Sequence, residues 1–286
     1  MEFDYGIVSF DRYLKEEQVS NEYLEKYSWV KSIIIFAIPY QNVTLEGNYL
    51  PAKFAYLSDY HNEVKDLLII EAKRKNLDKY EVLVDVSFLN EKKVASLAGL
   101  GFIGKNTLFI SRKYGAFVFL GEIITSTELK ETSEITKSFC DGCNNCVNAC
   151  PNKALDNGFN KNKCLSYLTQ KASNNFSYYD KARTYYGCDI CQDVCPYNKK
   201  NRLSQYDDKA ILNLEKFENI DDYSKYSSDK TYNWIGYLKM LRNILVMETN
   251  NKNITIEKIE FYQNKYKDVK WFYDHLEYLK EKLKEE

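Results

Sequence analysis

The positions of the eight cysteines constrain this chain more than any other feature of its sequence. All eight lie between Cys140 and Cys195, and the rest of the 286 residues contains none. No basic, apolar, cleavable leader follows Met1, so we expect a cytoplasmic protein, and thiols in the cytosol are normally kept reduced. Eight crowded cysteines in such a chain indicate a metal centre rather than disulfide bonds.

The spacing of these cysteines is typical of iron–sulfur proteins. The first run reads Cys140-x2-Cys143-x2-Cys146-x3-Cys150-Pro151, and a shorter run reads Cys188-x2-Cys191-x3-Cys195-Pro196. In bacterial ferredoxins the cysteine that precedes the proline binds the other cluster. We therefore predict one 4Fe–4S cluster on Cys140, Cys143, Cys146 and Cys195, and a second on Cys150, Cys164, Cys188 and Cys191. Structural zinc, the alternative, uses isolated Cys-x2–4-Cys pairs separated by longer loops.

The chain divides by sequence pattern into three parts, which together predict an α+β protein. Residues 1–135 alternate buried strands, at 31–39, 81–85 and 116–120, with helices at 59–75 and from Asn90 to Leu97. Residues 136–200 form the cysteine module. Residues 201–286 are helical, with apolar positions that include Trp234 and a fraying surface helix at 278–286.

Charge and the length of the apolar runs limit which partners the sequence predicts. The formal net charge is −1, so no global basic excess indicates a nucleic-acid partner. The longest apolar runs, at 33–38 and 116–120, are far shorter than the ~20 residues needed to span a bilayer.

Several motifs outside the cysteine runs are more specific when they occur together with them. They are Val84-Asp85, Ala98-Gly-Leu-Gly-Phe-Ile-Gly-Lys-Asn-Thr107, Phe119-Leu-Gly-Glu-Ile123, Lys163-Cys-Leu-Ser-Tyr-Leu-Thr169, Tyr186-Gly-Cys-Asp-Ile-Cys-Gln192 and Asn233-Trp-Ile-Gly-Tyr237. Through these motifs the sequence resembles the epoxyqueuosine reductases, which are cobalamin- and iron–sulfur-dependent enzymes of tRNA queuosine synthesis.

The resemblance implies a reaction and a domain order. The reaction is the two-electron reduction of an epoxide on a modified tRNA base to an alkene. The two clusters would relay electrons to cobalamin, whose Co(I) state is a strong nucleophile, and Asp85 would donate the proton. An acid at the end of a buried strand would have its pKa raised by desolvation. Residues 1–135 would be the cobalamin-binding catalytic domain, 136–200 a ferredoxin-like two-cluster domain and 201–286 a helical region.

The resemblance also implies a set of cobalamin contacts. Lys53 stands where the family usually has Arg, and Val86-Ser87-Phe88 replaces a loop that often contains Gly-Pro. His61 is not proposed as a ligand of cobalt. The implied cofactor-binding residues are Lys53, Asp59, Tyr60, Asp85, Lys105, Asn106, Ser166 and Tyr167.

A chain with balanced charge needs a local surface to bind tRNA. The candidate residues are Lys161, Lys163, Lys171, Lys181, Arg183, Lys199, Lys200 and Arg202, with Tyr178, Tyr179, Tyr185 and Tyr186 for base stacking. We further expect a monomer with an external electron donor. The alternatives are another corrinoid iron–sulfur reductase, such as a dehalogenase, and a non-catalytic electron carrier that would have no use for Asp85.

Overall fold

The computed structural model describes residues 3–40, 49–132, 138–198, 214–217 and 219–285. The chain separates into two compact units, each assembled from three stretches of sequence. The first contains residues 1–42, 60–145 and 192–204, and the second contains residues 43–59, 146–191 and 205–286. Residues of the 136–200 segment are therefore found in both units, and the three linear domains stay a prediction.

The first unit is built on a four-stranded antiparallel sheet. Its strands are β1 (Asp4–Ser9), β2 (Ser32–Pro39), β3 (Tyr80–Leu83) and β6 (Val118–Thr125), in the spatial order β1-β2-β6-β3. A separate hairpin pairs β4 (Gly101–Ile103) with β5 (Phe109–Ser111). All eight residues of β2 are buried, which explains its uninterrupted apolar sequence, since a central strand covered on both faces has no polar side.

Helices cover the two faces of this sheet. The helices of this unit are α1 (Phe10–Glu16), α2 (Asn21–Lys26), α3 (Tyr60–Arg74) and α4 (Glu91–Leu97). On one face, Val64 and Leu68 of α3 pack with Ile123. On the other, Val94 of α4 packs with Ile124. Complete burial of such aliphatic side chains contributes about 1.5–3 kcal/mol each.

The second unit is mainly helical. Its helices are α6 (Leu165–Leu168), α8 (Ile220–Ser227), α9 (Tyr237–Asn250), α10 (Ile256–Lys265) and α11 (Lys270–Glu285). Two short helices, α5 (Asn145–Ala149) and α7 (Ile190–Asp193), each contain a boundary between the two units. The core of the second unit combines aliphatic residues of α9 with buried aromatic rings, among them Tyr185, Tyr232 and Phe272. No helix among the described residues is long and apolar enough to cross a membrane.

The mixed helix and sheet character predicted from the sequence is confirmed, with local differences. Asn90 caps α4 as expected, because its side chain accepts a hydrogen bond from the N–H of Lys93. The strand predicted at 116–120 is wrong in extent, since β6 runs on to Thr125 and pairs there with both β2 and β3. The surface helix predicted at 278–286 is the end of a longer helix, α11, which begins at Lys270 and buries Leu279 completely.

Candidate functional site

Asp85 lies at the tip of a strained turn just beyond the end of β3. Its φ is +59°, and the N–H of Val86 donates to the carbonyl of Val84 over 2.8 Å. A hydrogen bond from residue i+2 to residue i around a central residue of positive φ is the pattern of a γ-turn, which is rare and strained. Such strain is concentrated at functional sites.

The carboxyl group of Asp85 is more accessible than the sequence predicted. Its side chain is 56% exposed rather than buried at the end of a strand, because β3 ends at Leu83 and the turn projects beyond the sheet. The expected desolvation of this acid is therefore not found.

An aromatic stack positions a histidine beside Asp85. The ring of Tyr60 lies 3.9 Å from that of Phe119 and 4.1 Å from that of His61, in nearly parallel planes. His61 Nε2 is 3.4 Å from Asp85 Oδ2. Tyr60 and His61 are the first two residues of α3. Because stacking restricts the orientation of the imidazole, His61 can orient the carboxyl group of Asp85. Sequence reasoning gave His61 no role, because only the fold brings positions 61 and 85 together.

The loop after Asp85 is anchored by an aromatic cluster. Phe88 stacks on Tyr27 with ring centroids 4.5 Å apart and on Tyr23 at 5.2 Å, and it meets the edge of Phe10 at 6.3 Å. Ser87 Oγ accepts from the N–H of Leu89 at 2.8 Å. The Phe88 ring contacts and the Ser87 hydrogen bond thus fix the loop of Val86-Ser87-Phe88.

Two further carboxyl groups, Glu91 and Glu122, were missed by the sequence analysis, and the charge of Asp85 acts on both. Burial raises the pKa of Glu91 to about 7, and the charge of Asp85 adds to the effect. Glu122 is fully buried on β6, and neither of its carboxyl oxygens has a hydrogen-bond partner among the residues that the structure describes. Burial raises its pKa well above the usual range. The only signal in the sequence is a lone Glu inside an apolar strand.

Four of the cysteines gather within the second unit. Cys150 follows α5, Cys164 precedes α6, Cys188 precedes α7, and Cys191 lies in its first turn. Burial raises the pKa of the Cys188 thiol to about 12, and nearby charges of Cys164 and Cys150 add to the effect. Burial likewise raises the pKa of Cys191, and the nearby Cys188 adds most to this effect, followed by Cys164, Cys146 and Cys150.

This crowding of thiols fits an iron–sulfur cluster. Each ionised sulfur opposes ionisation of the next, and the cationic iron of a bound cluster removes that opposition. The Sγ of Cys150 also accepts the N–H of Ala154 at 3.2 Å, a type of hydrogen bond that tunes cluster potential. Among the described residues, no three His, Cys, Asp or Glu side chains converge closely enough for a single metal ion.

Three of the remaining cysteines, Cys140, Cys143 and Cys195, lie in the first unit. Cys140 and Cys195 pack against a small apolar cluster of Phe102, Ile110 and Ala116. Asn198, just after the second run, accepts the N–H of Ala116 through its Oδ1 at 2.6 Å. The β4–β5 hairpin therefore supports these cysteines. Cys146 belongs to the second unit.

Comparison with known proteins identifies the family. A family model described as a 4Fe-4S double cluster binding domain matches residues 139–198. An epoxyqueuosine reductase from Lactococcus garvieae is 35% identical over 238 residues, which cover 75% of this chain and 68% of that protein. The chain belongs to the epoxyqueuosine reductase family. It is accordingly an oxidoreductase, and the prediction of iron–sulfur clusters is confirmed.

Solved structures of epoxyqueuosine reductases share the fold. The Streptococcus thermophilus enzyme superposes with a TM-score of 0.78 at 29% identity, covering 92% of this chain and 81% of that one. A crystal structure of an epoxyqueuosine reductase with an epoxyqueuosine-modified tRNA-Tyr stem loop gives a TM-score of 0.80 at 22% identity, covering 98% of this chain and 95% of the other.

Lys105 and Asn106, two of the residues predicted to contact cobalamin, form hydrogen bonds with other residues of the first unit. Lys105 Nζ donates to the carbonyl of Cys143 at 2.8 Å and to Asn144 Oδ1 at 2.9 Å, so it holds the first cysteine loop. Asn106 is buried, and its Oδ1 accepts the N–H of Leu108. The nearby Gly101 is required by packing, because a Cβ there would meet the carbonyl oxygen of Ile110 at 2.0 Å. Lys105 and Asn106 thus fit a structural role better than contact with a corrin.

The other predicted contacts are divided between the units. Tyr60 and Asp85 belong to the first unit, whereas Lys53, Asp59, Ser166 and Tyr167 belong to the second. The buried Lys53 donates its backbone N–H to Asp189 Oδ2 at 2.8 Å, which ties its segment to the second cysteine run. Hydroxyl, ammonium and carboxyl groups of this kind fit the amide and phosphate periphery of cobalamin.

The predicted RNA surface needs a correction. Tyr179, Tyr185 and Tyr186 are buried in the core of the second unit, so they cannot stack on bases. Tyr178 is partly buried. Lys161, Lys171, Lys181 and Arg183 are exposed and Lys163 is partly so, whereas Lys199, Lys200 and Arg202 lie outside the described residues.

Trp234, which the sequence analysis counted among the apolar positions of the helical region, is exposed. Its side chain is 61% exposed, and its indole N–H donates to Tyr186 Oη at 3.3 Å, which fixes the ring. Lys171 Nζ lies 5.8 Å from the ring centres of both Trp234 and Tyr167. Burial lowers the pKa of Lys239, and the charge of Lys171 lowers it further. We call Lys161, Tyr167, Lys171, Trp234 and Lys239 the Lys171 surface.

Proposed function

We propose that this protein reduces epoxyqueuosine in tRNA to queuosine. Family membership, with 35% identity to a curated epoxyqueuosine reductase over 238 residues, is the observation that carries the proposal. The double-cluster domain supports a supply of single electrons. A tRNA substrate implies that the protein acts in the cytoplasm, and an external donor would reduce the clusters.

The chemistry defines what the chain must provide. Removing the oxygen of an epoxide as water and leaving an alkene consumes two electrons and two protons. Cobalamin, when bound, supplies a strongly nucleophilic reduced cobalt for this two-electron chemistry. Lys53, Asp59, Tyr60, Ser166 and Tyr167 would hold it, and Cys140 to Cys195 would hold the two clusters in the predicted sets of four.

Asp85 is the proposed proton donor to the departing oxygen. Its position on a turn that projects from the sheet makes the carboxyl group accessible to a bound substrate, and His61 at 3.4 Å orients it. The Tyr60 stack and the Phe88 anchor support the two sides of this site. A positioned general acid of this kind contributes about 10²–10⁴-fold to rate.

The Lys171 surface is the proposed contact for the RNA. A fixed, exposed indole flanked by ammonium groups offers a base both stacking and phosphate neutralisation, the combination found in single-strand binding sites. The balanced net charge is compatible with such a local contact.

Nucleoside analysis of tRNA tests this function. The anaerobically purified holoprotein, reduced chemically and supplied with cobalamin, should convert epoxyqueuosine in tRNA to queuosine. Asp85→Asn should abolish conversion while iron content stays unchanged, and Asp66→Asn, an exposed change on α3, should have no effect. An unaffected Asp85→Asn variant would refute Asp85 as the proton donor. Absence of product with the wild type would refute the function and would favour a non-catalytic electron carrier.

A further inference from the structure

Two hydrogen bonds within the first unit join the segments that carry Cys140 and Cys195, which are far apart in the sequence. The phenolic O–H of Tyr197 donates to the carbonyl of Phe139, the residue before Cys140, at 3.1 Å. The Nδ2 of Asn145 donates to the carbonyl of the residue before Cys195 at 3.5 Å. The fold therefore holds together two cysteine segments that we predict to bind the same cluster, and it does so through residues other than the ligands.

Three aromatic rings of the first unit, Phe102, Phe139 and Tyr197, contact one another, and we call them the aromatic cover. The ring of Phe102 meets those of Phe139 and Tyr197 edge to face, with centroids 5.6 Å apart in both pairs. The rings of Phe139 and Tyr197 are 6.2 Å apart. Phe102 is only 3% exposed, whereas Phe139 is 53% and Tyr197 is 37% exposed, so the two outer rings lie between the inner ring and solvent.

The inner ring of the aromatic cover belongs to the small apolar cluster on which Cys140 and Cys195 pack. The loop that follows Cys140 is exposed at Asp141 and Gly142, so this part of the chain borders solvent. A 4Fe–4S cluster bound by these cysteines would therefore lie close to the protein surface, with Phe102 as an apolar neighbour.

The surroundings of a cluster near the surface influence its reduction potential. A 4Fe–4S cluster on four thiolates is negatively charged, and it becomes more negative when it accepts an electron. Water stabilises the more highly charged form, whereas apolar side chains that exclude water disfavour it. A cluster with an apolar cover therefore has a lower reduction potential than the same cluster with water beside it.

We propose that the aromatic cover keeps water away from the first cluster on the side of Phe102 and thereby lowers the reduction potential of that cluster. Phe139 and Tyr197 close over Phe102, and the hydrogen bond between them fixes this arrangement at the start of the first cysteine run. The three residues are positioning residues, because they act through the surroundings of the cluster. A low potential favours the onward transfer of electrons to cobalamin, so the purpose of the cover rests on the proposed function.

A redox titration of the anaerobically purified holoprotein, followed by electron paramagnetic resonance, tests the cover without tRNA or cobalamin. A chemical reductant such as dithionite gives one electron to each cluster, and the signal of each reduced cluster reports its potential. Phe139→Asn places a polar group in the cover, so the equilibrium constant for reduction of one cluster should rise about tenfold, or ~59 mV, while the other cluster is unchanged. Phe139→Leu, which has the branched shape of asparagine without its polar atoms, should keep the wild-type potential.

Tyr197 provides a second pair of variants at the other outer ring. Tyr197→Gln should raise the potential of the same cluster, whereas Tyr197→Phe keeps the apolar ring and should leave the potential unchanged. This pair decides the question if Phe139→Asn does not retain its iron.

The matched control is Phe261→Asn. Phe261 is similarly exposed, at 54%, but it lies on α10 of the second unit, so its replacement should alter neither potential. Wild-type potentials in both polar variants, or equal shifts in the polar and apolar variants, would overturn the proposal. A protein that shows the expected shifts but forms no queuosine would refute the proposed function and would still support the effect of the cover on the potential.

Discussion

Asn243 joins two of the segments that carry cysteines in the second unit. It is buried on α9, and its Nδ2 donates to the carbonyl of Thr169 at 2.8 Å and to that of Tyr185 at 2.7 Å. Thr169 follows the helix that begins after Cys164, and Tyr185 is three residues before Cys188. Replacing Asn243 by alanine should therefore destabilise the unit and loosen the cluster ligands together.

The magnitude follows from the partners that would be left behind. Asn243→Ala removes both donations and also the Oδ1 that accepts from Arg242 Nε at 2.7 Å. Each buried polar group that loses its partner costs about 1–3 kcal/mol. With some relaxation the total is roughly 3–5 kcal/mol, a large fraction of the ~5–15 kcal/mol that stabilises a typical domain.

Urea unfolding followed by circular dichroism, combined with iron analysis, measures this effect on the anaerobically purified holoprotein. Asn250→Ala is the matched control, since Asn250 ends the same helix and accepts a single hydrogen bond, from Lys282 Nζ at 2.9 Å. The control should lose about 0.5–1.5 kcal/mol and keep its iron. If Asn243→Ala shifted the midpoint no further than the control and retained full iron, this account of the second unit would be refuted.

Three other changes have defined outcomes. Lys105→Met should speed iron release to a chelator by about fivefold, corresponding to roughly 1 kcal/mol for exposed charge-assisted hydrogen bonds, and an unchanged rate would contradict its role on the first cysteine loop. Trp234→Ala should raise the Kd for the substrate stem loop in fluorescence anisotropy by about 5- to 150-fold, whereas Phe261→Ala, also exposed among lysines, should not. Phe88→Ala should lower the free energy of unfolding by roughly 2–3 kcal/mol, measured by thermal denaturation. It should change kcat more than KM, because the turn that carries Asp85 loses its anchor, and equal changes in kcat and KM would contradict this role of Phe88.

Features that depend on local sequence were predictable. The uninterrupted apolar run of β2 and the Asn90 cap of α4 were found because strand burial and helix capping leave a direct pattern in neighbouring residues. The cysteine spacing likewise predicts iron–sulfur clusters, because short loops direct several thiolates to one cluster.

Features that depend on tertiary contacts were not predictable. Tyr185 and Tyr186 follow basic residues in the sequence, yet the core of the second unit encloses them. Glu122 lies beyond the strand predicted at 116–120, and its burial becomes evident only when β6 is seen to pair with a strand on each side. The proximity of His61 and Asp85 arises from the packing of α3 beside β3, which no local pattern encodes.

The left-handed backbone at position 85 restricts which acid can evolve there. Asp and Asn adopt positive φ far more readily than residues with longer side chains, so the backbone and the chemistry together favour aspartate over glutamate. We expect Asp85→Glu, although it preserves the acid, to disturb the turn more than Asp85→Asn, which preserves the shape. A substitution at position 85 would thus lose either the acidic group or the left-handed backbone of the turn, and no single substitution keeps both.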